Sequence, residues 1–350
     1  MIIKTVSVII PIRNEEGFIS RSLEAILVQD RPTEQLEVLI ADGMSTDDTR
    51  QIIGQIISRH PEVDIRLLDN PSRLVPTGIN IALQQAKGDI IIRVDGHTVV
   101  APDYVRQCVI ALQKSGADNV GGRMNAIGSN SFGKTVALAT SSPFGIGNGR
   151  FHYSEKEEWA DTVYMGAWPR RVFDKIGLFD EELVRDQDDE FNYRLRSAGG
   201  KILLCPKIKS EYTVRSSPFS LWRQYFQYGY WKVRVLQKHP RQMSLRQFVP
   251  PAFVASLFVS LLLPLLIILH GRDYAIFKYS AFFIPACYLI MNLFASVITA
   301  ARKSWNFLFL LPIIFTILHI AYGLGFLIGL VKFANRWEDR NGKVPVWGSA

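Results

Sequence analysis

The residues of this 350-residue chain best placed to do chemistry are acidic groups that follow short apolar runs. Asp95-Gly-His97 comes after Asp89–Val94. Asp42-Gly-Met-Ser-Thr-Asp-Asp-Thr49 comes after Leu36–Ala41, and Arg13-Asn14-Glu15 follows Val6–Pro11. Far downstream, Asp188, Asp189 and Glu190 stand together. Asp is a hard oxygen donor suited to Mg2+ or Mn2+, and imidazole is acceptable to Mn2+. Asp95 and His97, two residues apart, can point the same way. The same Asp-x-His also fits a capped turn with a surface histidine. The acidic trio equally fits a helix start, where capping and the helix dipole favour carboxylates.

Those groups need a frame, and hydrophobic periodicity supplies one. Val6–Pro11, Leu36–Ala41, Ile65–Leu68 and Asp89–Val94 read as buried strands. Glu16–Gln29, Asp47–Arg59, Pro76–Ala86 and Pro102–Lys114 read as the helices between and after them. Strand and helix alternating in this way predict an α/β fold with a mainly parallel sheet, whose ligands bind at the carboxyl ends of the strands. The acids after the first, second and fourth strands would then share one edge. A nucleoside diphosphate needs such a cradle: an acceptor for base N–H, a partner for ribose and a cation for phosphate. Gly121–Gly149, rich in Gly, Ser and Asn, reads as a mobile loop with a short helix around Phe132–Thr140, either a lid or a plain connection. Val172–Ile176 and Gln187–Ala198 read as helices, and Ile202–Cys205 and Ile208–Val214 as two strands.

Composition divides the chain near residue 240. Beyond it, Val249–His270, Ile276–Thr299 and Phe307–Phe333 are almost uninterrupted apolar stretches, each long enough to cross a bilayer. Prolines interrupt all three, which a membrane bundle tolerates. Before them, an aromatic and basic helix at about 218–238 is amphipathic enough to lie on a membrane surface. The basic residues from Arg215 to Arg246 suit anionic headgroups on the cytoplasmic side. The formal net charge of +8 is scattered, and no nucleic-acid partner is expected. Three cysteines without metal spacing argue against a disulfide framework, and no secretory signal is expected. Residues 1–240 are thus expected to form the catalytic domain and 241–350 a region of two to three membrane helices. Three crossings would leave Lys332, Arg336, Arg340 and Lys343 outside, against the positive-inside tendency, so Pro250–His270 is the segment expected to re-enter or lie flat. His319, inside an apolar stretch, is either functional or a helix-to-helix hydrogen bond.

Taken in order, Ser7-Val-Ile-Ile-Pro-Ile-Arg-Asn-Glu-Glu16, Asp42-Gly-Met-Ser-Thr-Asp-Asp-Thr49 and Asp95-Gly-His97 resemble glycosyltransferase family 2, the inverting enzymes of GT-A fold. The resemblance covers residues ~4–240. With the apolar tail, the chain is similar to membrane glycosyltransferases of bacterial exopolysaccharide synthesis, the succinoglycan type. This likeness implies a metal-dependent hexosyltransferase that takes a sugar, glucose in the first instance, from a UDP-sugar donor. Pro11, Asn14, Glu15, Asp42, Arg73, Asn80 and Asp95 would bind the donor nucleotide. Asp95 and His97 would hold Mg2+ or Mn2+. Asp188 would be the catalytic base, and Trp168 and Asp189 would meet the acceptor, with Asp189 the fallback base. Trp168 fits a packed core position equally well. The likeness also implies a polyprenyl-diphosphate-linked saccharide as acceptor, contact with membrane lipids, complexes with other polysaccharide-synthesis membrane proteins, and a multi-pass place in the bacterial inner membrane with the catalytic domain cytoplasmic. Departures are Ile79 where an arginine is usual, Gly43 for a second acid, Gln187 for the usual glutamate, and Tyr230 for the arginine of the processive Gln-x-x-Arg-Trp signature. The last favours single transfer over polymerisation. Transfer to polyprenyl phosphate itself and a non-catalytic export subunit are the alternatives.

Overall fold

The structure, a computed structural model, describes residues 5–30, 35–147, 149–269, 275–340 and 342–347. The chain order is β1 (Val6–Ile12), α1 (Ile19–Leu27), β2 (Leu36–Asp42), α2 (Thr49–Arg59), β3 (Asp64–Asp69), α3 (Val75–Gln85), β4 (Ile90–Arg93), β5 (Thr98–Val100), α4 (Tyr104–Ser115), β6 (Asn119–Ile127), α5 (Ser131–Thr140) and α6 (Pro143–Ile146). It continues through β7 (Glu158–Trp159), β8 (Tyr164–Pro169), α7 (Arg171–Ile176), α8 (Gln187–Ser197), β9 (Ile202–Thr213), α9 (Pro218–Lys238), α10 (Val249–Leu269), α11 (Ala275–Lys303) and α12 (Leu311–Lys332).

The chain divides into two compact units, one from residues 1–125, 149–213 and 341–350, the other from 126–148 and 214–340. This differs from the expected boundary near 240: α9 and residues 126–148 group with the apolar helices, and the C-terminal residues group with the sheet. In the first unit, the strand order is β3-β2-β1-β4-β8-β6-β9-β5, with β7 beside β9. β3, β2, β1 and β4 run parallel, and β8 joins β4 antiparallel. Every residue of β1 and β2 is buried, as expected of strands covered on both faces. Val8, Ile10, Val38 and Ile40 pack with Leu23, Ile26, Ile53, Val105 and Leu112 of α1, α2 and α4. Ile9, Leu39 and Ile91 face the other way, onto Ile79 and Leu83 of α3 and Phe173 and Phe191 of α7 and α8.

Residues 121–147 are strand and helix rather than a mobile loop, and the short helix expected around Phe132–Thr140 is α5. Gly121 and Gly122 lie inside β6, where a Cβ at Gly122 would stand 1.7 Å from the Ile208 carbonyl oxygen. Glycine here permits a close strand approach rather than a turn. α5 and α6 follow, and Asn130 caps α5 by accepting from the Gly133 N–H at 2.7 Å. β9 is one strand through Pro206, which lies between the stretches paired with β7 and with β5.

In the second unit, α9 packs closely on α12. A Cβ at Gly229 would fall 1.9 Å from the Tyr322 carbonyl oxygen, and one at Gly325 would fall 2.1 Å from that of Phe226. Small residues let two backbones approach in this way. Arg234, fully buried on α9, donates to Gln237 Oε1 at 2.5 Å and to the carbonyls of Arg336 and Asp339 at 3.3 Å. Gln237 donates to the Phe333 carbonyl at 2.8 Å, so the pair caps the end of α12. Between α11 and α12, Asn292 donates to the Pro312 carbonyl and to Thr316, each at 3.0 Å. His319 lies 3.0 Å from Tyr288 Oη and 2.8 Å from the Phe144 carbonyl, the helix-to-helix reading of that residue. Phe282–Lys303 and Leu311–Lys332 are long and apolar enough to cross a membrane. The first expected span ends at His270, which is outside the described residues.

Candidate active site

The carboxyl ends of β1, β2 and β4 are neighbours, with Ile12 in register with Asp42 and Ile9 with Arg93. Asp42, the last residue of β2, is fully buried. Its carboxylate accepts from the Ser45 N–H at 3.1 Å, the Ser45 hydroxyl at 2.5 Å and Arg50 Nη1 at 2.6 Å. Asn14, in a left-handed conformation (φ 54°), donates its N–H to Ser45 Oγ at 2.8 Å and accepts from the Thr46 N–H at 2.9 Å. The loops after β1 and β2 are thereby tied together. Glu15 continues the line, with its Oε1 3.1 Å from His97 Nδ1. A carboxylate at Nδ1 orients the ring, with Nε2 on the side away from Glu15.

Asp95 and Asp188 are 93 residues apart in sequence but meet through Arg93, the last residue of β4. Arg93 Nε donates to Asp95 Oδ1 at 2.9 Å, Nη2 lies 2.9 Å from the same oxygen, and Nη1 donates to Asp188 Oδ1. Tyr164, from the start of β8, donates to Asp95 Oδ2 at 3.4 Å and sits 2.7 Å from the Thr98 hydroxyl. Asp188 stands on the first turn of α8. Glu190 and Asn192 of that helix are buried. Glu190 pairs with Arg194 at 2.5 Å, and Asn192 accepts from Asn119 at 2.8 Å.

These contacts set opposite electrostatics on the two carboxylates. Burial works against ionisation of Asp95, but Arg93 and then His97 outweigh it and hold the carboxyl below the usual range. Burial lifts Asp188 to about 6; Arg93 opposes the rise, and Asp95 and Asp189 add to it. The Asp188 side chain is still 36% exposed. One group is therefore a fixed anion, and the other is a carboxylate able to exchange a proton near neutral pH.

Not every expected residue joins this line. Pro11 is buried within β1. Arg73 is exposed on the loop after β3 in a left-handed conformation (φ 59°). Asn80 is buried on α3 and spends its amide on Phe179 and Glu181. It accepts from the Phe179 N–H and donates to the Phe179 carbonyl, both at 2.9 Å, and donates to Glu181 at 3.0 Å. That geometry fixes backbone rather than presenting a group to a nucleotide. Trp168 is 2% exposed and edge-on to Phe173, Phe179 and Phe191, so its ring has no open face for a sugar. The position is the core one. Asp189 is half-buried beside Asp188. Sequence reasoning passed over Arg93, Tyr164 and Arg50. The signal for Arg93 was a charge closing the run Ile90-Ile91-Ile92.

Among the described residues no group of three or more His, Cys, Asp or Glu side chains could cage a metal. The donors present still fit a Mg2+ or Mn2+ site completed by substrate. Asp95 Oδ2 carries only the long Tyr164 contact, and His97 keeps Nε2. Cations of this kind are commonly held by one or two carboxylates, waters and substrate phosphates.

The profile of glycosyl transferase family 2 matches residues 7–177. A succinoglycan biosynthesis protein, ExoA of Rhizobium meliloti, is 32% identical over 257 residues, covering 73% of this chain and 77% of that protein. A dolichyl N-acetyl-alpha-D-glucosaminyl phosphate 3-beta-D-2,3-diacetamido-2,3-dideoxy-beta-D-glucuronosyltransferase of Methanococcus voltae is 28% identical and covers 93% of this chain and 97% of its own length. Among solved structures, the mannosyltransferase PcManGT of Pyrobaculum calidifontis, in complex with GDP-Man and Mn2+, superposes with a TM-score of 0.58 at 19% identity, over 94% of this chain and 88% of that one. Sheet order, acidic edge and kinship together make this chain a member of glycosyltransferase family 2 with a GT-A fold.

Proposed function

We propose that the chain transfers a sugar from a UDP-sugar to a saccharide carried on a polyprenyl diphosphate, inverting the anomeric centre. The observation that carries this reading is the Asp95–Arg93–Asp188 bridge at the edge shared with Asp42. Asp42, Asn14 and Glu15 take the base and ribose end of the donor, with Arg50 paired to Asp42 and Arg73 assigned to the diphosphate. Asp95, with His97, would hold a divalent cation, which supplies charge neutralisation at the diphosphate when bound. Asp188 takes the proton of the acceptor hydroxyl. The freed oxygen bonds to the anomeric carbon, the bond from that carbon to the diphosphate oxygen breaks, and UDP leaves. Asp189 stands beside Asp188 on the acceptor side.

A membrane setting is supported by α11 and α12. The C-terminal residues bear on how often the chain crosses. Within the sheet unit, Leu178 donates its N–H to the Pro345 carbonyl at 3.1 Å, Glu181 to that of Lys343 at 2.9 Å, and Trp347 stacks on Phe173. A segment after α12 that is built into the catalytic unit asks for an even number of crossings between the two. Two crossings, by α11 and α12, also return Lys332, Arg336, Arg340 and Lys343 to the catalytic side, as the positive-inside tendency asks. The cytoplasm of a bacterial inner membrane is the setting we assign to that side.

The Methanococcus voltae relative, whose name specifies a lipid monophosphate sugar, favours such an acceptor as the second reading. The deciding experiment incubates detergent-solubilised protein with UDP-glucose, UDP-N-acetylglucosamine or GDP-mannose, with and without Mn2+, and with each class of lipid acceptor. Transfer from a UDP-sugar that stops in Asp188→Asn is the expected result. Full transfer by that variant would overturn the assignment of the base.

A further inference from the structure

We propose that Arg93 is a positioning residue for the transfer step, locking the acceptor-side carboxylate Asp188 to the donor-side carboxylate Asp95. This rests on the reading of those two groups given above. Arg93 closes an apolar strand and is 4% exposed. A buried guanidinium is tolerated only when its charge and N–H groups are matched. Here the match is complete on two sides. Nε and Nη2 converge on one oxygen of Asp95 at 2.9 Å, and Nη1 meets Asp188. The guanidinium is planar and rigid, so its fork sets direction as well as distance.

Arg93 is the cation that meets the Asp188 carboxylate. Its helix is anchored further on, by Asn192 to Asn119 and by Arg194 to the Leu178 carbonyl, whereas the Asp188 side chain stands in the first turn of α8. A base that deprotonates a hydroxyl in line with a breaking bond must be held to a fraction of an ångström. Arg93 provides that hold from the strand that also carries Asp95. A mere counter-ion would work with any cation; a positioning fork would not.

The test uses the full chain, with the UDP-sugar that supports transfer as probe. Arg93→Lys keeps the charge and loses the fork. Its kcat for transfer is expected to fall about 100-fold, while donor affinity by calorimetry changes less than about threefold. Donor hydrolysis by water, which needs no placed acceptor, is expected to fall less than transfer. Arg93→Gln is the second variant and is expected to show the same split. Transfer within about threefold of wild type in Arg93→Lys would overturn the proposal. So would parallel loss of donor binding and transfer, or failure of both variants to fold, since either marks a structural counter-ion. Asp188→Asn measured alongside separates the two claims: retained transfer there removes the base itself, and this inference with it, whereas a dead Asp188→Asn beside a fully active Arg93→Lys removes only the inference.

Discussion

In the sheet unit, buried charge gathers at one edge and stays partly open: Asp95 keeps a nearly free oxygen, and Asp188 is 36% exposed. In the helical unit, the buried Arg234, Gln237 and Asn292 and the half-buried His319 are turned onto backbone carbonyls and neighbouring side chains. The first arrangement spends stability to keep groups available. The second uses the same kinds of group as fasteners between helices. Burial of a polar side chain is therefore no guide to function by itself; what distinguishes Asp95 and Asp188 from the groups of the helical unit is that their bonding capacity is not used up.

Substitutions can break this contrast from either side. The largest effect belongs to Asp188→Asn, which should lower the transfer rate about 1,000-fold with donor binding retained, checked by product assay and calorimetry. A steep loss of donor affinity instead would make Asp188 part of the nucleotide site. In the helical unit, Gly325→Val must push against the Phe226 carbonyl and should cost about 3 kcal/mol of stability, read from denaturant midpoints, with the folded fraction still able to turn over. Arg234→Met leaves the carbonyls of Arg336 and Asp339 without their donor and should cost about 2 kcal/mol, again without a change in chemistry per folded molecule. The smallest effect is pH. Asp188, facing Arg93, Asp95 and Asp189, has its carboxyl raised to about 6, so the base form is lost as pH falls through that value. Transfer at pH 5 should be about tenfold slower than at pH 7. A flat profile between them would mean the base titrates elsewhere.

How much of this was readable beforehand follows the same divide between local and distant information. β1, β2 and β4 are buried on both faces, so they show as unbroken apolar runs, and the acids at their ends are visible by position alone. β6 and β8 are antiparallel insertions rich in glycine. Gly121, Gly122 and Gly166 lower the strand signal because the packing there has no room for a Cβ. Trp168 sits in a motif that suggested an acceptor contact, yet which face of β8 it takes depends on partners 5 to 23 residues away, Phe173, Phe179 and Phe191. Arg93 was in plain view, but its meaning lies in a contact across 95 positions. The return of residues 342–347 to the Leu178–Glu181 stretch carries no compositional mark at all.

The central claim is that Asp42 and Asp95 line one nucleotide-sugar pocket with Asp188 across from it. A structure determined with UDP and Mn2+ tests this most directly. The account predicts the uracil end against Asp42 and Asn14 and the diphosphate beside Asp95, with Asp188 facing the space left for the sugar. UDP bound away from these three carboxylates would contradict it.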